Sequence, residues 1–115
     1  MIVYGIPNCN TVKKARVWLE ENGFTPEFYD FKKQGISIEK LNQWCDVFGW
    51  EVVLNKKGTT WRNLSPDVQK SIVDQKSAVA ILLENTSAIK RPVIEVDGKA
   101  VLISFNEDGY ADALK

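Results

Sequence analysis

Residues 1–31, MIVYGIPNCNTVKKARVWLEENGFTPEFYDF, set out a strand, a helix and a second strand in close succession. Met1-Ile2-Val3-Tyr4-Gly5-Ile6 is short, β-branched and aromatic, and Pro7 stops it, the pattern of a buried strand running into a loop. From Thr11 to Asn22 the apolar residues Val12, Ala15, Trp18 and Leu19 recur at three- and four-residue spacing. Lys13, Lys14, Arg16, Glu20 and Glu21 take the opposite side. That spacing predicts an amphipathic helix, with Gly23 at its C-terminal end. Glu27-Phe28-Tyr29-Asp30-Phe31 then alternates polar and aromatic residues as a half-buried strand does. The order and length predict a βαβ unit with parallel strands, and therefore an α/β domain.

Beyond this unit the character changes. Ser37 opens a segment in which Ile38, Leu41, Cys45 and Phe48 share one helical face before Gly49 ends it. Asn55-Lys56-Lys57-Gly58-Thr59-Thr60-Trp61-Arg62-Asn63 reads as a polar loop. Ser65-Pro66-Asp67 supplies an N-cap, a proline at the first helical position and an acid in the first turn, predicting a helix through Val68, Ile72 and Val73. Another helix is predicted from Ala78 to Leu83. Strand pattern returns at Pro92–Val96 and Lys99–Ile103, separated by Asp97-Gly98, a two-residue hairpin turn. Asn106-Glu107-Asp108 can cap a last helix through Tyr110 and Leu114. The expected order is βαβ, a helical segment over about residues 36–88, then ββα, within one domain spanning 1–115.

Composition narrows the chemistry. The chain has 115 residues, 15 Lys+Arg against 15 Asp+Glu, two Cys and no His. Balanced charge argues against a nucleic-acid partner, since phosphate recognition gathers a surplus of Lys and Arg. Without histidine there is no Ser-His-Asp or Cys-His pair and no imidazole metal ligand, and two separate cysteines do not make a zinc site. The longest apolar run, Ala78–Leu83, is far shorter than the roughly 20 residues that span a bilayer. The expectation is a soluble protein of a reducing, cytoplasmic setting, with no metal and no membrane partner.

Cys9 is the first candidate for chemistry. It stands between a buried strand and an amphipathic helix, where free N–H groups and the helix dipole stabilise a thiolate, and Lys13 and Lys14 follow one turn on. The alternative is an inert loop thiol. Val12 stands three residues on, so there is no C-x-x-C, and redox cycling through Cys9 needs an outside thiol or a distant one. Cys45 shares an apolar face with Leu41 and Phe48, as a small hydrophobe does. Arg91-Pro92 opens a strand at the tip where Cys9 emerges in this layout, either as a cis bond with a guanidinium near the thiol or as an ordinary trans proline. The Asn55–Arg62 segment is either an anion-binding loop or a solvated connection.

Three segments in order, Tyr4–Ala15, Asn55–Arg62 and Ile89–Ile94, resemble the ArsC/Spx-type arsenate reductase family, most closely its YffB-like branch. The resemblance covers essentially the whole chain. It implies a thioredoxin-like βαβ-ββα core with a helical insertion between the halves, Cys9 as nucleophile and a cis Arg91-Pro92 bond beside it. It also implies substrate or glutathione contacts from Asn8, Asn10, Thr11, Lys13, Asn55, Lys56, Lys57, Arg62 and Pro92. In the glutathione- and glutaredoxin-coupled reductases of this family three arginines hold the oxyanion. Here Arg91 matches one, while Asn55 and Ser104 fall near the positions of the others. Each missing charge-assisted contact is worth roughly 1.5–3 kcal/mol, so the resemblance implies a Cys9 thiolate attacking a disulfide or an oxyanion, with the carboxylates of glutathione better matched to one arginine than arsenate is. The implied function is a monothiol reductase with no bound cofactor, acting as a monomer with glutathione as cosubstrate and glutaredoxin as a possible partner. The other reading is a non-catalytic protein-binding module related to the family's RNA polymerase-binding regulators, whose C-x-x-C switch is absent here because Val12 replaces the second cysteine.

Overall fold

The first strand, β1 (Ile2–Gly5), lies inside a four-stranded sheet of order β2-β1-β3-β4, with β2 at Glu27–Asp30, β3 at Val93–Val96 and β4 at Lys99–Ile103. The computed structural model describes residues 1–115. β2 pairs with β1 in parallel, because helix α1 (Asn10–Glu21) returns the chain to the same edge, whereas β3 pairs antiparallel with both β1 and β4. The tight turn between β3 and β4 places Asp97 and Gly98 at φ 53° and 79°, the two left-handed residues that a two-residue hairpin of this twist requires. A terminal helix, α8 (Glu107–Leu114), completes the ββα half and is capped by Asn106, whose Oδ1 accepts the Gly109 N–H at 2.7 Å. This is the expected thioredoxin-like arrangement.

The chain divides into two compact units, Met1–Gln34 with Arg91–Lys115, and Gly35–Lys90. In the first, strand alternation sends Val3 and Ile94 to one face of the sheet, where they meet Ala15 and Leu19 of α1 and Tyr110 of α8. Trp18, Phe24, Phe28, Leu102 and Phe105 pack around this cluster. Tyr4 and Glu95 point to the other face, and the Tyr4 hydroxyl donates to Glu95 Oε1 at 3.1 Å, which satisfies the one charged side chain in the core.

The second unit is helical: α3 (Ile38–Phe48), α4 (Trp50–Val53), α5 (Thr59–Arg62), α6 (Pro66–Ser71) and α7 (Gln75–Glu84), followed by a 3₁₀ turn at Thr86–Ala88. Its buried side chains include Leu41, Trp44 and Cys45 of α3 and Ala78, Val79 and Leu82 of α7. An isolated antiparallel bridge joins Leu54 to Ile89, with the Asn55 N–H donating to Ala88 O and the Lys90 N–H to Val53 O. No helix of the protein is long and apolar enough to cross a membrane.

Several local expectations are corrected. Phe31, read as the end of a strand, begins a one-turn helix, α2 (Phe31–Gln34), because the Asp30 carboxylate accepts the Lys32 and Lys33 N–H groups and turns the chain. Within the 55–63 segment, read as loop throughout, Thr59–Arg62 is helical from an N-cap at Gly58. The helix expected to include Val73 stops at Ser71. Asp74 and Ser77 form a capping box there, and the Val73 N–H is taken by Ser77 Oγ, so Val73 is left exposed. The helix read from Ala78 accordingly starts three residues earlier, at Gln75. Ile38, expected on the apolar face of α3, is exposed.

Candidate active site

A short buried strand followed at once by a helix leaves the residue between them at the helix N-terminus, and that residue is Cys9. Its backbone is extended (φ −142°, ψ 122°), its carbonyl accepts the first helical hydrogen bond from the Lys13 N–H at 3.0 Å, and its side chain makes no cap hydrogen bond of the usual geometry. The close approach of strand to helix depends on Gly5. A Cβ there would stand 2.9 Å from Val12 Cγ2, and Val12 is fully buried. Val12, at the place where a C-x-x-C motif has its second thiol, is thus a packing residue of the strand–helix joint.

The sulfur of Cys9 is half-buried and free. Burial pushes its pKa upward, but four effects together outweigh that. They are the Val12 N–H, the charge of Arg91, the Thr11 N–H and a hydrogen bond that the Arg91 side chain donates to the sulfur, and the net result is a pKa below the ordinary thiol value. A thiolate is the nucleophilic form, so this position favours attack by sulfur at a pH where an unperturbed cysteine is mostly protonated.

Arg91 reaches Cys9 from the start of β3. The Arg91-Pro92 peptide bond is cis, Pro92 is buried, and the Arg91 Nε is itself buried. Pro92 O accepts the Ser104 N–H at 2.8 Å, extending the β3–β4 ladder one pair beyond Val93 and Ile103. Ser104 sits in the left-handed region at φ 64°, and its carbonyl accepts the Tyr110 hydroxyl.

The other residues singled out from the sequence are distributed as follows. Thr11 contributes its N–H to the sulfur, while Asn8 and Asn10 are exposed. Lys13 joins Lys14, Val17, Trp18 and Phe105 along an open cleft of about 580 Å³ that runs down α1 from one turn beyond Cys9. Asn55, Lys56, Lys57 and Arg62 belong to the second unit. Asn55 forms the turn there, its Oδ1 accepting the Lys57 N–H at 3.3 Å and its side chain occupying the space that a Cβ on Gly58 would need. Lys56 Nζ lies 5.6 Å from the ring centroids of both Trp50 and Trp61, a paired cation–π contact, while Lys57 and Arg62 are exposed. Cys45 is buried, and burial, helped by Asp46, pushes its thiol up to about 11, where it is neutral and unreactive. No group of three or more acidic or cysteine side chains is placed to share a metal ion. Sequence reasoning missed the Val12 N–H, although its place in the first turn of a helix is the available signal. It also missed Ser104 and Tyr110 as the groups that hold Pro92.

Comparison with known proteins concerns the family and the fold. Residues 4–113 match the ArsC family. An uncharacterized protein of Haemophilus influenzae is 47% identical over 111 residues, covering 96% of each chain. The solved structure of the YFFB protein superposes with a TM-score of 0.92 at 44% identity, covering 99% of this chain and 98% of that one. The solution structure of an arsenate reductase (ArsC) related protein from Brucella melitensis has a TM-score of 0.76 at 43% identity, over 99% and 93% of the two chains.

Proposed function

The chain belongs to the ArsC family, and on that footing we propose that it is a glutathione-dependent monothiol reductase with Cys9 as its nucleophile. The observation that carries this reading is the Cys9 sulfur itself, drawn toward the thiolate by two helix N–H groups and the Arg91 guanidinium. A mixed disulfide between a substrate thiol and glutathione fits these groups. Cys9 thiolate attacks the glutathione sulfur, the disulfide bond breaks, and the substrate leaves as its thiolate. A second glutathione thiolate then attacks the glutathione sulfur held on Cys9, releasing oxidised glutathione and restoring the Cys9 thiolate. Per turnover one substrate disulfide is reduced and one glutathione disulfide is formed.

Arg91 suits one end of this exchange. Its guanidinium can hold a glutathione carboxylate or stabilise sulfur as charge builds on it. Reduction of an oxyanion such as arsenate is the less favoured use of the same thiol, because two of the family's three oxyanion arginines are absent and the Ser104 backbone is engaged with Pro92 and Tyr110.

The test is intact mass after incubation with oxidised glutathione. One glutathione adduct is expected on the unsubstituted protein and on Cys45→Ser, and none on Cys9→Ser. Turnover should follow the same pattern. An unmodified protein with both thiols free would overturn the reading and make Cys9 part of a binding module, and equal loss in the two variants would overturn the monothiol scheme.

A further inference from the structure

In an antiparallel ladder, two hydrogen-bonded partners exchange both of their N–H···O bonds. Pro92 and Ser104 are such partners, but proline has no N–H to give. The Ser104 N–H donates to Pro92 O at 2.8 Å, and the returning bond to Ser104 O comes instead from the Tyr110 hydroxyl. Tyr110 is well placed for this. Its ring is 1% exposed on α8, set edge-on to Trp18 at 5.6 Å and to Phe105 at 5.0 Å, and burial keeps its hydroxyl protonated and therefore a donor.

We propose that Tyr110 is a positioning residue for the reactive thiol: its hydroxyl replaces the N–H that Pro92 lacks, fixing the backbone from which Arg91 reaches Cys9. This rests on the reading of Cys9 and Arg91 given above and adds the residue that holds the pair in register. Ser104 serves through its backbone groups, and its left-handed conformation turns the carbonyl toward α8.

The experiment compares Cys9 alkylation by iodoacetamide as a function of pH in the unsubstituted protein, Tyr110→Phe, Arg91→Ala and the double variant, with folding checked by thermal melting. Tyr110→Phe retains the buried ring and removes only the donor. It should slow alkylation at neutral pH about threefold, roughly half of the logarithmic effect of Arg91→Ala, and should add nothing in the Arg91→Ala background. Leu114→Ala, which loosens α8 without touching the hydroxyl, should leave the rate unchanged. An equal fall in Tyr110→Phe with and without Arg91, no fall at all, or an equal fall in Leu114→Ala would each overturn the proposal. A second measurement needs no variant: the Ser104 amide should be protected from hydrogen exchange, and exchange at the rate of an open peptide would overturn the proposal directly. If Arg91→Ala itself leaves the reactivity of Cys9 unchanged, the reading of the site fails, independently of Tyr110.

Discussion

Arg91→Ala is the sharpest perturbation of the site. A hydrogen bond from a charged donor is worth roughly 1.5–3 kcal/mol, and because Cys9 is only half-buried, solvent screening places the effect at the lower end, about 1.5 kcal/mol. The Val12 and Thr11 N–H groups remain in the variant, so the loss is partial. At about 1.4 kcal/mol per factor of ten, the ratio of thiolate to thiol should fall about tenfold. The direction follows from linkage. The folded pKa of Cys9 is lowered, so this group adds stability above the ordinary thiol value and loses it as pH falls through the lowered one, and removing Arg91 moves that lower limit upward. The assay is the rate of iodoacetamide alkylation from acid to alkaline pH, normalised to the plateau where all thiol is ionised. Arg91→Lys should fall between the two, since it keeps the charge and loses the planar donor fork. A profile in Arg91→Ala that superimposes on the parent would refute the reasoning and leave the helix N-terminus as the only source of the shift.

Two further predictions concern stability. The folded pKa of Cys45 is raised by burial from the ordinary 9.0 to about 11, so its contribution is whole below 9 and is lost as pH rises through 11, a fall of about 2–3 kcal/mol. Denaturant unfolding at a series of alkaline pH values should therefore show a shallower decline for Cys45→Ala than for the parent, and parallel declines would exclude Cys45 as the cause. Gly5→Ala places a methyl group 2.9 Å from Val12 Cγ2 in a full joint and should cost about 1–3 kcal/mol, partly recovered in the Gly5→Ala/Val12→Ala double variant. A melting temperature unchanged by Gly5→Ala would show that the strand and helix separate more freely than their packing indicates.

The main elements were legible because their signals are local. Alternation in 27–30, the three- and four-residue spacing in α1 and the Asp97-Gly98 turn each act within a few residues, and each survives in the fold. Errors arose where a side chain redirected the backbone. Asp30 capped a turn that the apolar Phe31 concealed, and Ser77 reached back to the Val73 N–H and ended a helix that propensity alone would continue. The thiol at a helix N-terminus could be read from order alone. The groups that position Arg91 could not, because the Tyr110–Ser104–Pro92 contacts depend on the register of β4 against β3 and on where α8 returns to the sheet.

The 56 residues from Gly35 to Lys90 enter after α2 and leave immediately before Arg91 without adding a strand to the sheet. Cys9, the N–H groups of Thr11 and Val12, Arg91, Pro92, Ser104 and Tyr110 all belong to the unit that this segment interrupts. That unit is thus built from two stretches of chain, Met1–Gln34 and Arg91–Lys115, separated in sequence by the whole helical segment. Its two parts meet through the pairing of β1 with β3, since Cys9 follows β1 and Arg91 precedes β3. Lys90, whose N–H is tied to Val53 one residue before Arg91, is the last residue of the helical unit, so the chain passes from that anchor straight into the residue that faces the sulfur.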